Sequence, residues 1–397
     1  MTDIGVSTPV QSDAPNGAPA NAPDAALAGD FAGQLAAFRD ALERELAAWI
    51  EAKRGDLAGL ASPQADALRE LIDGVSQLAS YGGKRLRPAL VYHTYLGCGG
   101  RSPEQVLPLA LAIELLHTYL LIHDDIMDHA EVRRGQPAAH ARFRELHKVR
   151  GLQGDAADFG VSVAILLGDL AHGWAVELFA GVLAEAGPRS RQAELRRCFG
   201  AMCQEVLGGQ YQELLAAARR GTSRQAGEEE LLSVLRLKSG RYTAERPIQL
   251  GALLAGAPPA QLDALCRYGA AVGEAFQLQD DLLGVFGDAA TVGKPVGADL
   301  EEGKFTFLIF HALEAADPAQ REALESALGR TGLERDEVDR LCGLLEATGA
   351  RAAVEAMVEE RLGIARAALA ELDELGVEPE GRLFFEGLLG ELRERVR

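Results

Sequence analysis

Three acidic residues follow an apolar run in the first half of the chain. Asp124, Asp125 and Asp128 follow residues 120–122, Leu-Leu-Ile, after one intervening histidine. On a helix, residues four apart lie on one face, so Asp124 and Asp128 point the same way and His117 continues that face toward the N-terminus. Proteins hold Mg²⁺ with one or two carboxylates plus substrate phosphates. The spacing of two acids alone would favour a solvated acidic face. The third acid and the arginines that follow at 133 and 134 reverse this, so the motif predicts a metal site that binds a diphosphate.

A second acidic pair, Asp280 and Asp281, lies in another apolar run with helical periodicity. Burying such acids is costly unless they are paired or bound to a metal ion. Bundles build metal sites from side chains on facing helices. The two acidic motifs together therefore predict a multi-metal site between two helices.

Basic residues recur near these motifs. Lys84 and Arg87 follow two glycines at a predicted helix start, where free backbone N–H groups also attract anions. Arg133 and Arg134 follow the first acidic motif by five residues. Because the chain as a whole is strongly acidic, these local clusters predict binding of an anionic substrate. Three more candidate cations lie further along the chain: Lys238, Lys294 and Lys304.

The overall charge and the cysteines exclude several classes of protein. The formal net charge is −19, with 40 Lys+Arg against 59 Asp+Glu, which argues against nucleic acid binding through a basic field. The five cysteines are scattered without metal-binding spacing, so we expect reduced thiols. Residues 1–38 contain no Lys or Arg and charges interrupt the apolar stretches, so we expect a cytoplasmic protein without a membrane span.

The periodicity of the chain predicts its fold. Residues 1–30 are rich in Ala and Pro and predict a disordered tail. From residue 31 apolar residues recur every three or four positions, as in Leu35, Phe38, Leu42 and Leu46. Alternating strand patterns are absent from the sequence, so we expect a single all-α domain over residues 31–397.

Taken in order, the motifs identify a family. The chain resembles the trans-isoprenyl diphosphate synthases, or polyprenyl synthetases, over roughly residues 35–395. The motifs that carry this resemblance are GGKRLRP at 82–88, ELLHTYLLIHDDIMD at 114–128, RRGQPAAH at 133–140, GD at 168–169, GQ at 209–210, KSGRYTAERP at 238–247, FQLQDDLLG at 276–284 and GKPVGADLEEGK at 293–304. The implied fold is an isoprenoid-synthase-type helical bundle around a central cavity, and the family leads us to expect a homodimer.

The resemblance also implies roles for individual residues. In the family, acids at the positions of Asp124, Asp128 and Asp280 hold about three Mg²⁺ ions around the diphosphate of an allylic substrate. Gln277 and Ser239 would line the site near the reacting carbons. The implied ligands of the isopentenyl diphosphate are Lys84, Arg87, His117 and Arg134, and those of the allylic diphosphate are Arg133, Lys238, Lys294 and Lys304.

The reaction that this implies is a head-to-tail condensation. Metal ions and basic side chains would stabilise the charge on the departing diphosphate, and the isopentenyl double bond would attack the allylic cation. A proton would then pass to the released diphosphate. Apolar walls would keep water away from the cation.

The sequence departs from the family pattern at three positions. Gly284 stands where most members have an aspartate, Ala138 replaces a common threonine, and Glu213 replaces a common aspartate. Because the family's metal contact from the second motif runs mainly through its first acid, we expect activity to survive, with weaker Mg²⁺ affinity.

Product length is predicted from the residues before the first acidic motif. In the resembling enzymes a bulky aromatic residue five positions before the first aspartate stops elongation, and Tyr119 occupies that place, followed by Leu120. The sequence therefore predicts geranylgeranyl diphosphate (C20), with farnesyl diphosphate (C15) as the nearest competitor. Two further classes stay open: a non-catalytic regulatory subunit, which Gly284 allows, and a class I terpene cyclase, for which the Lys84/Arg87 site would have little use.

Overall fold

The computed structural model describes residues 31–219, 222, 226–287, 297–330 and 332–394. These residues are almost entirely helical, which confirms the all-α prediction. The tail expected over residues 1–30 lies outside the described residues. The α-helices in the described part are α1 (Phe31–Gly55), α2 (Ser62–Ala79), α3 (Leu86–Gly97), α4 (Pro103–Met127), α5 (Ala139–Val149), α6 (Ala156–Glu185), α7 (Arg189–Arg219), α8 (Glu228–Val234), α9 (Arg246–Ala255), α10 (Pro259–Phe286), α11 (Ala298–Glu301), α12 (Phe307–Ala315), α13 (Pro318–Ala327), α14 (Arg335–Ala347), α15 (Ala350–Glu374) and α16 (Pro379–Glu394).

The core is built around α3 and α4. Every residue of α3 from 88 to 97 is buried, and so is every residue of α4 from 109 to 116. Helix α4 packs on α6, α3 packs on α9, and α10 packs on α15. The amphipathic period expected in α1 is present, because its buried face consists of residues spaced four apart: Gln34, Phe38, Leu42, Leu46 and Ile50.

Helices α4 and α6 are long and apolar enough, by length and composition, to span a membrane. This differs from the expectation that charges interrupt every long apolar stretch, since each helix contains an 18-residue window with at most two charged residues. The core helices of bundles have the same composition. In α4, 61% of that window is buried inside the protein, as expected of a helix that packs at the centre of a core.

A π-helical segment, Leu235–Glu245, joins α8 to α9 and contains most of the KSGRYTAERP motif. A π-helix has a wider turn than an α-helix, and short π-helical segments occur frequently at functional sites. Ser239, Tyr242 and Thr243 are all buried in this segment. The sequence pattern predicts helix here but does not predict this change of pitch.

A two-stranded hairpin follows α4. Strand β1 (Val132–Arg133) pairs antiparallel with β2 (Gln136–Pro137), and Arg134 and Gly135 form the two-residue turn. Both turn residues have positive φ, +53° and +73°, as in the type I′ turns that suit the twist of hairpins. The tight turn directs two consecutive arginines to different partners, which are described below.

Candidate active site

The C-terminal half of α4 opens into a cavity of about 540 Å³. Asp124 lines it, and Asp128, the C-cap residue of α4, donates its backbone N–H to the Asp124 carbonyl at 2.8 Å. The i, i+4 relation inferred from the sequence therefore holds although Asp128 lies just beyond the helix. The predicted site residues that line this cavity are Arg87, His117, Tyr119, Leu120, Asp124, Lys238, Ser239 and Gln277.

Arg133 reaches back from the hairpin to the acidic motif. Its Nε donates to Asp125 Oδ1 at 2.7 Å, and its Nη2 lies 3.6 Å from Asp124 Oδ2. Asp125 is buried, 3% exposed, so it does not reach the cavity and instead fixes the arginine. The middle acid of the motif thus orients a cation beside the two outer acids, a role that spacing alone does not reveal.

The two outer acids repel each other. Burial and the neighbouring Asp124 carboxylate raise the pKa of Asp128 to about 6, although Lys304 and Lys238 oppose the shift. Like charges in a partly dehydrated place are stabilised by an added cation. The chemistry of this pair therefore suits a hard divalent metal ion.

Two lysines face the same acids. Lys238 forms an ion pair with Glu213, and Lys304 contacts Asp299 at 3.1 Å and Glu302 at 2.9 Å. Although burial opposes it, Glu213 and Asp124 raise the pKa of Lys238, so its ammonium stays charged. We call Asp124, Asp128, Lys238 and Lys304 the acidic mouth of the cavity.

The second acidic motif approaches the cavity along α10. Ser239 Oγ donates to Gln277 Oε1 at 2.5 Å, and Gln277 Nε2 donates to Asp281 Oδ1 at 2.7 Å. Burial and the nearby Asp299 carboxylate raise the pKa of Asp281 to about 8. Asp280 is half-buried on the same helix. Lys294 lies outside the described residues.

A second cluster surrounds Arg87, which also lines the cavity. Arg87 Nη2 donates to Thr243 Oγ1 at 2.8 Å, its Nη1 lies 3.4 Å from His117 Nε2, and its guanidinium stacks 4.7 Å from the Tyr242 ring. Arg134 donates to the carbonyl of Gly82. A Cβ at Gly83 would lie 2.7 Å from Arg134 Cζ, so the second glycine of the GGKR motif makes room for this arginine.

We call Arg87, His117, Arg134 and Tyr242 the basic pocket. Burial and the surrounding arginines, Arg87 first among them, lower the pKa of His117 well below its usual value, so its imidazole is neutral near pH 7. His117 Nδ1 lies 3.1 Å from the Tyr242 hydroxyl. Among the described residues, neither Arg87 nor Arg134 forms an ion pair with a carboxylate. The positive charge of this pocket is therefore available to an anion.

Beneath the basic pocket lies a buried ion pair between Arg85 and Glu114, which are 5% and 2% exposed. Arg85 also donates to the Ala79 carbonyl and has a left-handed backbone, φ +51°. Lys84, predicted beside Arg87, is placed elsewhere: its ammonium lies 3.0 Å from Glu391 on α16. The structure thus does not bring Lys84 to the cavity lining.

Tyr119 lines the cavity from α4. Its ring lies 4.8 Å from the His123 ring and 4.9 Å from the His172 ring. Two elements therefore hold it, since His123 is on α4 and His172 on α6. The apolar wall continues over side chains of α6 and α7: Ile165, Val206, Leu207, Tyr211 and Leu214.

Several residues of the site are not predicted by the sequence pattern. Tyr242 and Thr243 lie within a quoted motif but reach Arg87 through the pitch of the π-helix. Glu213 reaches Lys238 from α7, 25 residues earlier in the chain, and Asp299 pairs with Lys304 within the last motif. The signal available for Asp299 was its place five residues before Lys304 in the last motif.

Comparison with known proteins supports the resemblance. A family model described as polyprenyl synthetase matches residues 69–345. A short chain isoprenyl diphosphate synthase of Methanocaldococcus jannaschii is 33% identical over 277 residues, covering 70% of this chain and 76% of that protein. A geranylgeranyl diphosphate synthase of Mycobacterium tuberculosis is 32% identical over 296 residues, covering 74% and 77%.

A solved structure shows that the similarity extends to the fold. The geranylgeranyl pyrophosphate synthase from Corynebacterium glutamicum, complexed with isoprenyl diphosphate and magnesium, matches with a TM-score of 0.82 at 33% identity, over 90% of this chain and 98% of that one. Matching relatives also include proteins named farnesyl and geranylfarnesyl diphosphate synthase, so the similarity spans several product lengths. Because the family model covers well over half of the sequence, the chain belongs to the polyprenyl synthetase family of prenyltransferases.

Proposed function

We propose that this chain is a Mg²⁺-dependent synthase that condenses isopentenyl diphosphate with allylic diphosphates to give geranylgeranyl diphosphate. The observation that carries the proposal is that one cavity with apolar walls is lined both by Asp124 and Lys238 of the acidic mouth and by Arg87, His117 and Tyr242 of the basic pocket. Two diphosphates can then bind by different means with their hydrocarbon parts between them.

The residues present fit Mg²⁺. No group of three His, Cys, Asp or Glu side chains in the described part of the chain forms a metal site by itself. That agrees with the usual way of binding Mg²⁺, in which one or two carboxylates act together with substrate phosphates. Asp124 and Asp128 would hold the ions together with Asp280, and the number proposed from the family is about three.

Bound Mg²⁺ supplies Lewis-acid stabilisation of the charge that develops on the leaving diphosphate. Lys238, Lys304 and Arg133 bind and orient that diphosphate. Lys294, which the structure does not describe, joins them by resemblance to the family. These cations also favour breakage of the allylic C–O bond, because they offset negative charge where it grows.

The basic pocket holds the second substrate. Arg87, Arg134 and the neutral His117 bind the diphosphate of isopentenyl diphosphate and direct its double bond to the allylic carbon, with Gln277 and Ser239 beside the reacting carbons. Lys84 remains part of this proposal if its side chain exchanges Glu391 for the substrate. The walls exclude water, and the proton lost after attack passes to the released diphosphate.

We assign the control of product length to Tyr119 and the adjacent Leu120. Purified protein is incubated with Mg²⁺, isopentenyl diphosphate and dimethylallyl, geranyl or farnesyl diphosphate, and the dephosphorylated alcohols are analysed by chain length. We expect C20 from the parent, longer chains from Tyr119→Ala and C20 from Tyr119→Phe, which keeps the ring. Unchanged length in Tyr119→Ala would remove Tyr119 as the floor. A C15 product would assign the protein as a farnesyl diphosphate synthase, and no product from any primer would favour a non-catalytic subunit.

We further propose a cytoplasmic homodimer with one domain over residues 31–397. Helices α6 and α7 carry exposed apolar side chains, some of which also line the cavity, and a second copy of the chain would cover them. Sedimentation is expected to give a mass near twice 42.2 kDa, and a monomer at micromolar concentration would contradict it. These exposed residues are Ile165, Leu166, Val176, Leu207, Tyr211 and Leu214.

A further inference from the structure

The π-helical segment Leu235–Glu245 carries side chains of both charged regions of the cavity. Lys238 belongs to the acidic mouth and Tyr242 to the basic pocket, while Ser239 bonds to Gln277 on α10. The pitch of this one segment therefore helps to orient two bound substrates relative to each other. Because π-helices are rare, contacts with the rest of the protein are needed to stabilise this pitch.

Two neighbouring helices contact the backbone of the segment directly. A Cβ built on Gly209 of α7 would lie 2.5 Å from the backbone nitrogen of Lys238, and one built on Gly273 of α10 would overlap the carbonyl oxygen of Gly240. These are backbone atoms, which cannot move aside as the end of a side chain can. Since glycine at both positions lets the backbones approach, the segment is held between α7 and α10.

The last turn of the segment has the hydrogen bond that defines a π-helix. The backbone N–H of Arg246, the first residue of α9, donates to the carbonyl of Arg241, five residues earlier. At this pitch residues five apart lie one above the other, whereas in an α-helix, with about 100° per residue, they point roughly 140° apart. The two arginines therefore share one face only while the segment is π-helical.

Glu205 of α7 bonds to both of these arginines. Its Oε1 accepts from Arg241 Nη1 and from Arg246 Nη2, each at 2.7 Å, and its Oε2 accepts from Arg246 Nε at 2.8 Å. The Glu205 and Arg246 side chains are only 16% and 14% exposed, so water and salt screen their attraction little. Burial alone would raise the pKa of Glu205, but the bonds from the two arginines lower it, so the carboxylate is ionised at neutral pH. We call these bonds the Glu205 bridge.

A second carboxylate lies near the same arginines but does not select the pitch. Glu245 is 3.6 Å from Arg241 Nε and 3.9 Å from Arg246 Nη1. It belongs to the segment itself and moves with it, and its spacing of four from Arg241 suits an α-helix equally well. Glu205, in contrast, is fixed on α7, so only its bonds depend on where the segment places both arginines.

We propose that Glu205 is a positioning residue, which stabilises the π-helical pitch of Leu235–Glu245 over an α-helical one. Within the described part of the chain the cavity lining does not include Glu205, so it acts through the segment. A change to α-helical pitch would turn the side chains of the acidic mouth relative to those of the basic pocket. The inference rests on the proposed function, since the reaction that it serves is the condensation of two substrates held in these regions.

Glu205→Gln tests the proposal, because it keeps the shape of the side chain and removes the charge. The single-turnover rate at saturating concentrations of both substrates is expected to fall about 10-fold or more, since small misplacements of reacting groups slow the chemical step. Affinities for isopentenyl diphosphate, and for a non-cleavable allylic thiodiphosphate with Mg²⁺, should stay within about 3-fold of the parent by calorimetry. Most of the proposed ligating cations lie outside the segment and keep their places: Arg87, Arg133, Arg134 and Lys304.

Arg241→Gln breaks the same bridge from the other side and leaves the bonds between Glu205 and Arg246. Its rate should fall like that of Glu205→Gln, and the double variant should be no slower than the slower single variant, because both changes act on one bridge. Glu230→Gln is the matched control. Glu230 pairs with Arg219 of α7 at 3.2 Å from α8, before the π-helical segment begins, and its variant should react at the rate of the parent.

Hydrogen–deuterium exchange reports on the segment without any activity. In the ligand-free protein, amides 240–246 should exchange faster in both bridge variants than in the parent and in Glu230→Gln, with exchange in α3 and α4 unchanged. Thermal unfolding confirms that each variant is folded. Because the Arg241 side chain is 40% exposed, Arg241→Gln tests the proposal even if Glu205→Gln does not fold.

Three outcomes overturn the inference. Parent-like rates in the bridge variants would show that the bridge does not orient the substrates, and additive losses in the double variant would show that the two arginines act separately. A fall in affinity as large as the fall in rate would assign Glu205 to binding and not to orientation. Failure of the proposed function looks different, because the parent itself would then form no product, while amide exchange would still report on the bridge.

Discussion

The basic pocket and the acidic mouth share one cavity but handle charge in opposite ways. In the basic pocket the arginines bond to neutral partners: Arg87 to Thr243, and Arg134 to the Gly82 carbonyl. In the acidic mouth both lysines bond to carboxylates, Lys238 to Glu213 and Lys304 to Asp299. The arginines of the basic pocket therefore have positive charge that no paired carboxylate neutralises. The lysines of the acidic mouth, in contrast, are already neutralised by carboxylates.

This difference assigns different requirements to the two substrates. A diphosphate can enter the basic pocket directly, since a guanidinium binds phosphate oxygens through two parallel hydrogen bonds. A diphosphate at the acidic mouth meets Asp124 and Asp128 first and is repelled unless cations intervene. We therefore expect binding of a diphosphate to depend on metal ions at the acidic mouth and not in the basic pocket.

Removal of Mg²⁺ is expected to give the largest difference in ligand affinity between the acidic mouth and the basic pocket. With chelator present, affinity for a non-cleavable allylic thiodiphosphate should fall at least ~100-fold, since each ~1.4 kcal/mol of lost attraction is tenfold. Affinity for isopentenyl diphosphate should change by less than about 3-fold. Titration calorimetry with each ligand alone measures both.

Arg87→Ala is the reciprocal variant. It removes the guanidinium that bonds to Thr243 without touching the acidic mouth, so isopentenyl diphosphate should bind at least ~10-fold more weakly while the Mg²⁺-dependent ligand is unaffected. If the affinities of both ligands depended equally on Mg²⁺, the contrast between the two regions would be wrong, because metal ions would then also act in the basic pocket.

Substitution of Glu114 tests how much the buried ion pair near the basic pocket contributes to stability. It is a buried partner of Arg85, and breaking a buried pair leaves an uncompensated charge, so Glu114→Gln should lower the free energy of unfolding by about 3 kcal/mol. Urea unfolding measures this. Replacement of both partners, Arg85→Met with Glu114→Leu, should recover all but about 1 kcal/mol. A parent-like stability of Glu114→Gln would mean that the arginines do not depend on this carboxylate.

Sequence spacing predicts the parts of the site that depend on one helix. Asp124 and Asp128 share a face because they are four apart, and Gln277 precedes Asp281 by one turn for the same reason. The same period predicts the buried stripe of α1 and so the helical fold. Local geometry is enough for such relations.

Relations between elements could not be predicted in this way. Tyr242 contacts His117 from a π-helix whose pitch no apolar period encodes, and Lys84 pairs with Glu391 across 307 residues of sequence. Gly284 is a further example, because a Cβ there would lie 2.6 Å from Cγ of Asp299, and no spacing predicts that these two residues meet.

Substitution of Asp128 gives the smallest expected change in the free energy of unfolding. The sign of this change is opposite to that expected for Glu114→Gln. Because burial and Asp124 raise its pKa to about 6, the ionised carboxylate opposes folding of the metal-free protein at pH 7.5. Asp128→Asn should therefore raise the free energy of unfolding by about 1 kcal/mol after allowance for solvent screening, while the Mg²⁺-dependent ligand binds more weakly. Asp66→Asn, at an exposed acid paired with Arg69, should change stability by less than about 0.5 kcal/mol. If Asp128→Asn destabilised the metal-free protein instead, the lysines would already neutralise the acidic mouth, and its need for metal ions would have to come from the diphosphate alone.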